Sequence, residues 1–224
     1  MTENKKIGLM LPSSNTVMEP DFYHNLPQNC TLHTARMYLE DVTAQSESEM
    51  LDVYAMPAAR DLASADVDVV VFGCTSAGAL RGNKYEETLM TEISKITGVP
   101  TVSVSKSVRD TLKRSQAGKL VVITPYLDEL NKKIEASLRD DGFDVLRISG
   151  LGIRDNKKIA QVSRQEILDF ANKTVKGLQP DALFLSCTNF PAFNVLQELR
   201  KIYSWDAVSS NQAALDESLV VITK

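Results

Sequence analysis

A chain of 224 residues, 43% hydrophobic and 24% charged, has the make-up of a soluble globular protein, with length for one large domain or two small ones. A formal charge of −4 argues against nucleic acid as a partner, because nucleic-acid binding usually needs a basic face. No apolar run approaches the ~18 residues of a membrane span. "MTENKKIGLMLPSSN" lacks the apolar stretch and cleavage site of a signal peptide, so no membrane association and a cytoplasmic location are expected.

In chain order, strands are predicted at 6–11, 31–38, 67–73, 100–104, 119–124, 143–148, 181–186 and 205–208. Helices are predicted at about 17–26, 46–64, 84–97, 105–116, 126–140, 156–177, 191–202 and 210–220. The strand runs are rich in Val, Ile and Leu without polar alternation, which suits strands covered on both faces of a parallel sheet. Strand and helix alternate throughout, the pattern of an α/β fold with right-handed crossovers.

Part of the chain then repeats. "KIGLMLP" ends at Pro12 and "KLVVITP" at Pro125, 113 residues later; "DVVVFGCT" and "DALFLSCT" place Cys74 and Cys187 at the same separation; "TLHTARMYL" (31–39) falls on "DVLRISGLG" (144–152). Three strands in register without a gap argue for internal duplication. The expected architecture is two pseudosymmetric Rossmann-like lobes, each a mostly parallel sheet flanked by helices, with the site in the cleft between them. The lobes are placed at 1–104 and 105–209, with a C-terminal helix at about 210–224 packing on the first.

Ligands of open α/β sheets bind beyond the carboxyl ends of the strands. The residues found there are Ser13, Ser14, Asn15 and Thr16 after the first strand, and Cys74, Thr75 and Ser76 after the third. Tyr126 follows the fifth, Asn156 lies beyond the sixth, and Cys187, Thr188 and Asn189 follow the seventh. These are thiols, hydroxyls and amides, with almost no charge and no histidine. Free backbone N–H groups and a helix N-terminus there favour an anion such as a carboxylate, and are expected to lower the cysteine pKa. Cys30, whose counterpart is Phe143, is read as structural. Two equivalent thiols facing one pocket suit proton abstraction with delivery from the opposite face, or nucleophile paired with proton donor. No metal is expected, since the chain has only His24 and His33 and no CxxC. GxGxxG and GxxxxGK[ST] are absent, so no cofactor is expected.

"GLMLPSSNTVMEPDF" (8–22), "TARMYLEDVT" (34–43), "VVFGCTSAG" (70–78), "VVITPYLDELN" (121–131), "LGIRDNKKIAQV" (151–162), "LFLSCTNFPAF" (183–193) and "VSSNQAAL" (208–215) together resemble the aspartate/glutamate racemase superfamily, and within it the maleate cis–trans isomerases. The resemblance implies that Cys74 adds to the C=C bond of maleate and that Cys187 gives and retrieves a proton, so that rotation in the covalent adduct yields fumarate. It implies that Asn15, Tyr126 and Asn156 bind the substrate carboxylates, aided by Thr75, Ser76, Thr188 and Asn189. It also implies a small dicarboxylate as partner and a homodimer or higher homo-oligomer. Two departures stand out. Phe190-Pro191-Ala192-Phe193 replaces the Leu-Arg usual after the second cysteine, with Phe190 and Phe193 expected to make the cleft more apolar. Ala214-Leu215-Asp216 follows "SSNQA" where many members carry a Trp. The alternatives are a two-thiol amino-acid or hydantoin racemase, an arylmalonate-type decarboxylase, against which Cys74 counts, and a non-catalytic binding protein.

Overall fold

The computed structural model describes residues 4–223; the outermost ends of the expected first lobe and C-terminal helix, residues 1–3 and 224, lie outside it. β1 (Lys5–Pro12), β2 (Cys30–Met37), β3 (Val69–Phe72) and β4 (Thr101–Ser103) form one parallel sheet in the order β2-β1-β3-β4. β5 (Lys119–Thr124), β6 (Asp144–Gly150), β7 (Ala182–Leu185) and β8 (Asp206–Ser209) form a second in the equivalent order β6-β5-β7-β8, also parallel. β3 and β7 are buried at every residue, as strands covered on both faces must be.

The chain reaches these sheets through α1 (Met18–Asn25), α2 (Ala44–Glu49), a π-helical turn (Met50–Tyr54) continuous with α3 (Ala55–Ser64), α4 (Thr75–Leu80), α5 (Asn83–Thr97) and α6 (Val104–Arg114). Then come α7 (Asp128–Asp140), α8 (Asn156–Ile159), α9 (Arg164–Val175), α10 (Leu196–Ile202) and α11 (Ser210–Ile222). The repeat survives as far as β7. β8 then arrives early, because the connection from β7 carries the seven-residue α10 where that from β3 carries the fifteen-residue α5. The helix expected over 156–177 is broken. Ser163 accepts from the Glu166 amide and Glu166 from the Ser163 amide (2.8 Å), a capping box that starts α9 afresh.

Each sheet is closed by a helix from beyond the other. Ala214 and Leu215 of α11 pack with Ile7, Leu9, Val69 and Val71 of the first sheet. Val108 and Leu112 of α6 join the cluster containing Ile134, Leu138 and Phe184 of the second half. A buried ionic knot fastens this exchange. Arg109 of α6 bonds Glu86 of α5 at 2.7 Å, contacts Asp141 at the end of α7 and reaches Ser137 (3.3 Å); Ser103 also donates to Glu86. Arg109 and Glu86 are only 5% and 1% exposed.

A buried pair adds little net stability when intact, but removing one partner strands the other charge. Arg109→Ala is therefore expected to destabilise the fold by roughly 3–5 kcal/mol, and Arg109→Ala combined with Glu86→Gln by clearly less. Urea unfolding of both variants checks this; equal losses would show that the ion pair is not the cause.

Candidate active site

β3 and β7 are each followed by one small residue, Gly73 or Ser186, and then by a cysteine. Cys74 sits at the N-cap of α4 with extended backbone (φ −140°). Cys187 instead has φ +134°, a conformation that side-chain-bearing residues rarely adopt. Both thiols are buried and free. They line one pocket with Asn15, Ser76, Tyr126, Asn156, Thr188 and Asn189, and its apolar walls are Pro12, Leu39 and Val42. The cavity is about 10 Å³, room for one water.

The polar side chains hold one another across the two sheets. Asn15 caps α1 through its Oδ1, accepting from the amides of Val17 (3.0 Å) and Met18 (3.1 Å), while its Nδ2 donates to Thr188 Oγ1 (3.0 Å). The Thr188 hydroxyl in turn donates to the Gly73 carbonyl (3.0 Å). Asn189 Oδ1 accepts from the Thr16 amide (2.9 Å), and its Nδ2 donates to the carbonyl of Asn156 (2.7 Å); Asn156 Nδ2 donates to Ser14 Oγ (2.8 Å). Arg36 braces the same turn, donating to the carbonyls of Ser13 and Asn15 and pairing with Glu19. The Leu39–Thr43 segment crosses onto the second half, where Val42 N donates to Arg154 O (2.8 Å), Asn156 N to Glu40 O (3.3 Å), and Asp41 pairs with Arg154. Tyr126 is brought in by a turn against the end of β6. A side chain at Gly150 would put its Cβ 2.2 Å from the Tyr126 carbonyl oxygen, so only glycine permits that approach.

The sequence expectations need four corrections. Thr75 is turned out of the pocket, its hydroxyl donating to Ser210 (2.9 Å). Neither Phe190, which is fully buried in the core, nor Phe193, which packs against the first sheet's cluster, lines the cleft. The thiols are not acidified: α4 is a single short helix, and burial dominates. Burial pushes Cys187 up to about 11, opposed by the neighbouring Tyr126 hydroxyl and by the Asn189 amide, which donates to its Sγ (3.3 Å). It pushes Cys74 well above the usual thiol range, with the nearby Glu47 carboxyl adding to the rise.

The fourth correction is a missed residue. Glu47 of α2 is fully buried in the pocket wall, accepts a hydrogen bond from Ser76 Oγ, and among the described residues has no partner for Oε2. Burial pushes its carboxyl up to about 8, with the Ser76 hydrogen bond opposing and Glu129 adding to the rise. In sequence it lies in "AQSESE", where Thr43 before it is a visible N-cap signal, but nothing marks one acid of that helix as buried.

Two parallel sheets aim one thiol each into a shared pocket of amides and hydroxyls, and the similarity to known proteins makes the chain an enzyme of the aspartate/glutamate racemase-like superfamily. The chain belongs to the arylmalonate decarboxylase family, whose model matches residues 7–223. A maleate isomerase of Alcaligenes faecalis is 27% identical over 206 residues, spanning 86% of this chain and 81% of that protein. Among solved structures, a maleate isomerase of Pseudomonas putida S16 superimposes with a TM-score of 0.92 at 22% identity, covering 98% of this chain and 93% of the other. A cysteine-to-serine mutant of the Nocardia farcinica maleate cis–trans isomerase, carrying a covalently bound succinylcysteine, gives 0.89 at 19% identity, with coverage of 98% and 93%.

Two outcomes follow from this geometry. Glu47 is protonated more readily folded than unfolded, so its stabilising effect is complete below about pH 4.5 and lost as pH rises through about 8. Relative to Glu47→Gln, the wild type is expected to lose on the order of a few kcal/mol across that window; parallel urea midpoints at pH 5, 6.5 and 8 would refute it. At Cys187, where positive φ costs an ordinary side chain roughly 1–3 kcal/mol, Cys187→Gly is expected to be at least as stable as Cys187→Ala. Thermal unfolding checks this; a Gly variant weaker than Ala would mean that the backbone there carries no strain.

Proposed function

We propose that the protein isomerises a small cis-unsaturated dicarboxylate, maleate to fumarate, through a covalent adduct on Cys74. The observation that carries this reading is the pair of buried thiols, one from each sheet, at a single pocket edged by amide side chains. The relatives' names and the succinylcysteine in the Nocardia structure support it.

In this mechanism the Cys74 sulfur adds to one alkene carbon as its S–H proton leaves for an acceptor in the pocket wall, to be returned when the adduct breaks. The π electrons move to the neighbouring carbon, which takes the Cys187 proton. The former double bond is then a single bond and rotates, Cys187 retrieves a proton from that carbon, and the Cys74–carbon bond breaks as the trans alkene forms. A Cys187 pKa near 11 keeps that thiol protonated and ready to donate at neutral pH, and the Tyr126 hydroxyl and Asn189 amide stabilise the thiolate left behind. Asn15, Tyr126 and Asn156 hold the substrate carboxylates, with Ser76, Thr188 and Asn189 completing the wall. The present cavity holds only a water, so a four-carbon substrate enters when the Leu39–Thr43 segment parts from residues 154–156. A homodimer or larger homo-oligomer, acting in the cytoplasm, is part of the same proposal.

The family's description favours a second reading, decarboxylation of an arylmalonate with Cys187 as proton donor. NMR in D₂O separates the two. With maleate, the wild type is expected to form fumarate, while Cys74→Ala and Cys187→Ser lose at least ~100-fold in rate. The Cys187 variant is expected to accumulate a one-dicarboxylate mass increase on Cys74. A wild type inert to maleate that releases CO₂ from an arylmalonate would replace the first reading with the second.

A further inference from the structure

Burial leaves both thiols protonated, so a Cys74 that attacks carbon needs a group to take its proton. None of the residues lining the pocket is a histidine, lysine or arginine. One carboxyl is there, and it is connected. Cys74 Sγ lies 3.9 Å from Ser76 Oγ, and Ser76 Oγ donates to Glu47 Oε1 in a short contact. The second oxygen of Glu47 is buried and has no partner among the described residues. The helix that carries Glu47 is held at its start by Thr43, whose carbonyl accepts from the Glu47 amide (3.0 Å) and whose hydroxyl accepts from Ser46 N (3.2 Å).

We propose that Glu47 is the proton acceptor for Cys74, acting through the Ser76 hydroxyl. As the sulfur electron pair forms its bond to carbon, the S–H proton passes to Ser76 Oγ and the Ser76 O–H proton passes to Glu47, which becomes a neutral acid. On release, the same protons return as the C–S bond breaks. The inference rests on Cys74 being the nucleophile of the proposed isomerase. The ionisable groups that face Glu47 are Cys74, Cys187, Tyr126 and Glu129, all acids. Their acidities make the division of labour workable: a carboxyl raised to about 8 is a far better match for a buried thiol than an ordinary carboxylate at 4.5.

The test is alkylation of Cys74 by iodoacetamide, followed by peptide mass spectrometry from pH 6 to 10. It needs no substrate: the sulfur forms a bond to the probe carbon, iodide leaves, and the proton goes to the acceptor. In the wild type the rate is expected to rise with pH and level off near 8. In Glu47→Gln and Ser76→Ala it should be about 100-fold lower at pH 7, climb without a break through pH 8, and lose any slowing in D₂O. Glu47→Asp should recover part of the break. Cys30, outside the pocket, reports folding, and its rate should match in all four proteins. One common Cys74 profile in wild type and Glu47→Gln would overturn the relay, even if maleate is isomerised. A wild-type break near pH 8 without maleate turnover would leave the relay standing and remove the proposed reaction.

Discussion

The hydroxyl of Thr188 is the point through which the two halves of the site are spaced. It accepts from Asn15 at the end of β1 and donates to the carbonyl of Gly73 at the end of β3, while its own residue follows Cys187 at the end of β7. Cys74 is one residue from that acceptor and Cys187 one residue from that donor. A hydroxyl with one proton and two lone pairs can satisfy both contacts at once, and in a buried place each is costly to leave unmade. Asn211 extends the same clamp, donating to the Thr188 carbonyl (3.0 Å) and to Asp21 (2.7 Å), so α11 and α1 are tied to the turn that carries Cys187. Sheet order brings the strand ends together; this clamp sets how the two thiols face the pocket.

Burial has the upper hand in the site's electrostatics. Backbone N–H groups do favour the charged sulfur, from Ala77 in the first turn of α4 at Cys74 and from Asn189 and Phe190 at Cys187, and each lowers the thiol pKa. Desolvation of the charged form outweighs them at both positions. The consequence is chemical. A site whose thiols rest protonated cannot rely on a standing thiolate, and it must generate one as the new bond forms. That requirement gives meaning to a carboxyl otherwise hard to place in the wall of a pocket proposed to take dicarboxylates.

Much of this was legible in the residues because it is local. Apolar runs marked the eight strands of the described residues, and the 113-residue repeat pointed to two similar lobes. The rule that ligands meet strand ends collected Asn15, Cys74, Ser76, Tyr126, Asn156, Cys187, Thr188 and Asn189, which the fold does bring to one pocket. What escaped was long-range or conformational. Glu47 faces the pocket because the Leu39–Thr43 segment crosses to residues 154–156, a pairing with no periodicity to announce it. Thr75 and Ser76 are adjacent and alike in chemistry, yet the helical turn aims one at Ser210 and the other at Glu47. The "SRQE" capping box was readable, and a continuous helical pattern over 156–177 obscured it.

Duplication alone would make two equivalent thiols, and equivalent thiols would suit a racemase, which needs symmetric acid and base. The two here have been made unlike by their surroundings. Cys74 has ordinary backbone geometry, a helix starting at once behind it, and a hydroxyl leading to a carboxyl. Cys187 has a strained backbone, no helix directly after it, and a ring of donors: the Tyr126 hydroxyl and the amides of Asn189 and Phe190. A carboxyl nearby helps a thiol to lose its proton only as it bonds to carbon. Donors nearby help a thiol to survive as a thiolate once its proton has gone. The first environment suits a nucleophile and the second a reversible proton donor, so the asymmetry itself favours addition with protonation over the exchange of a single proton between matched bases.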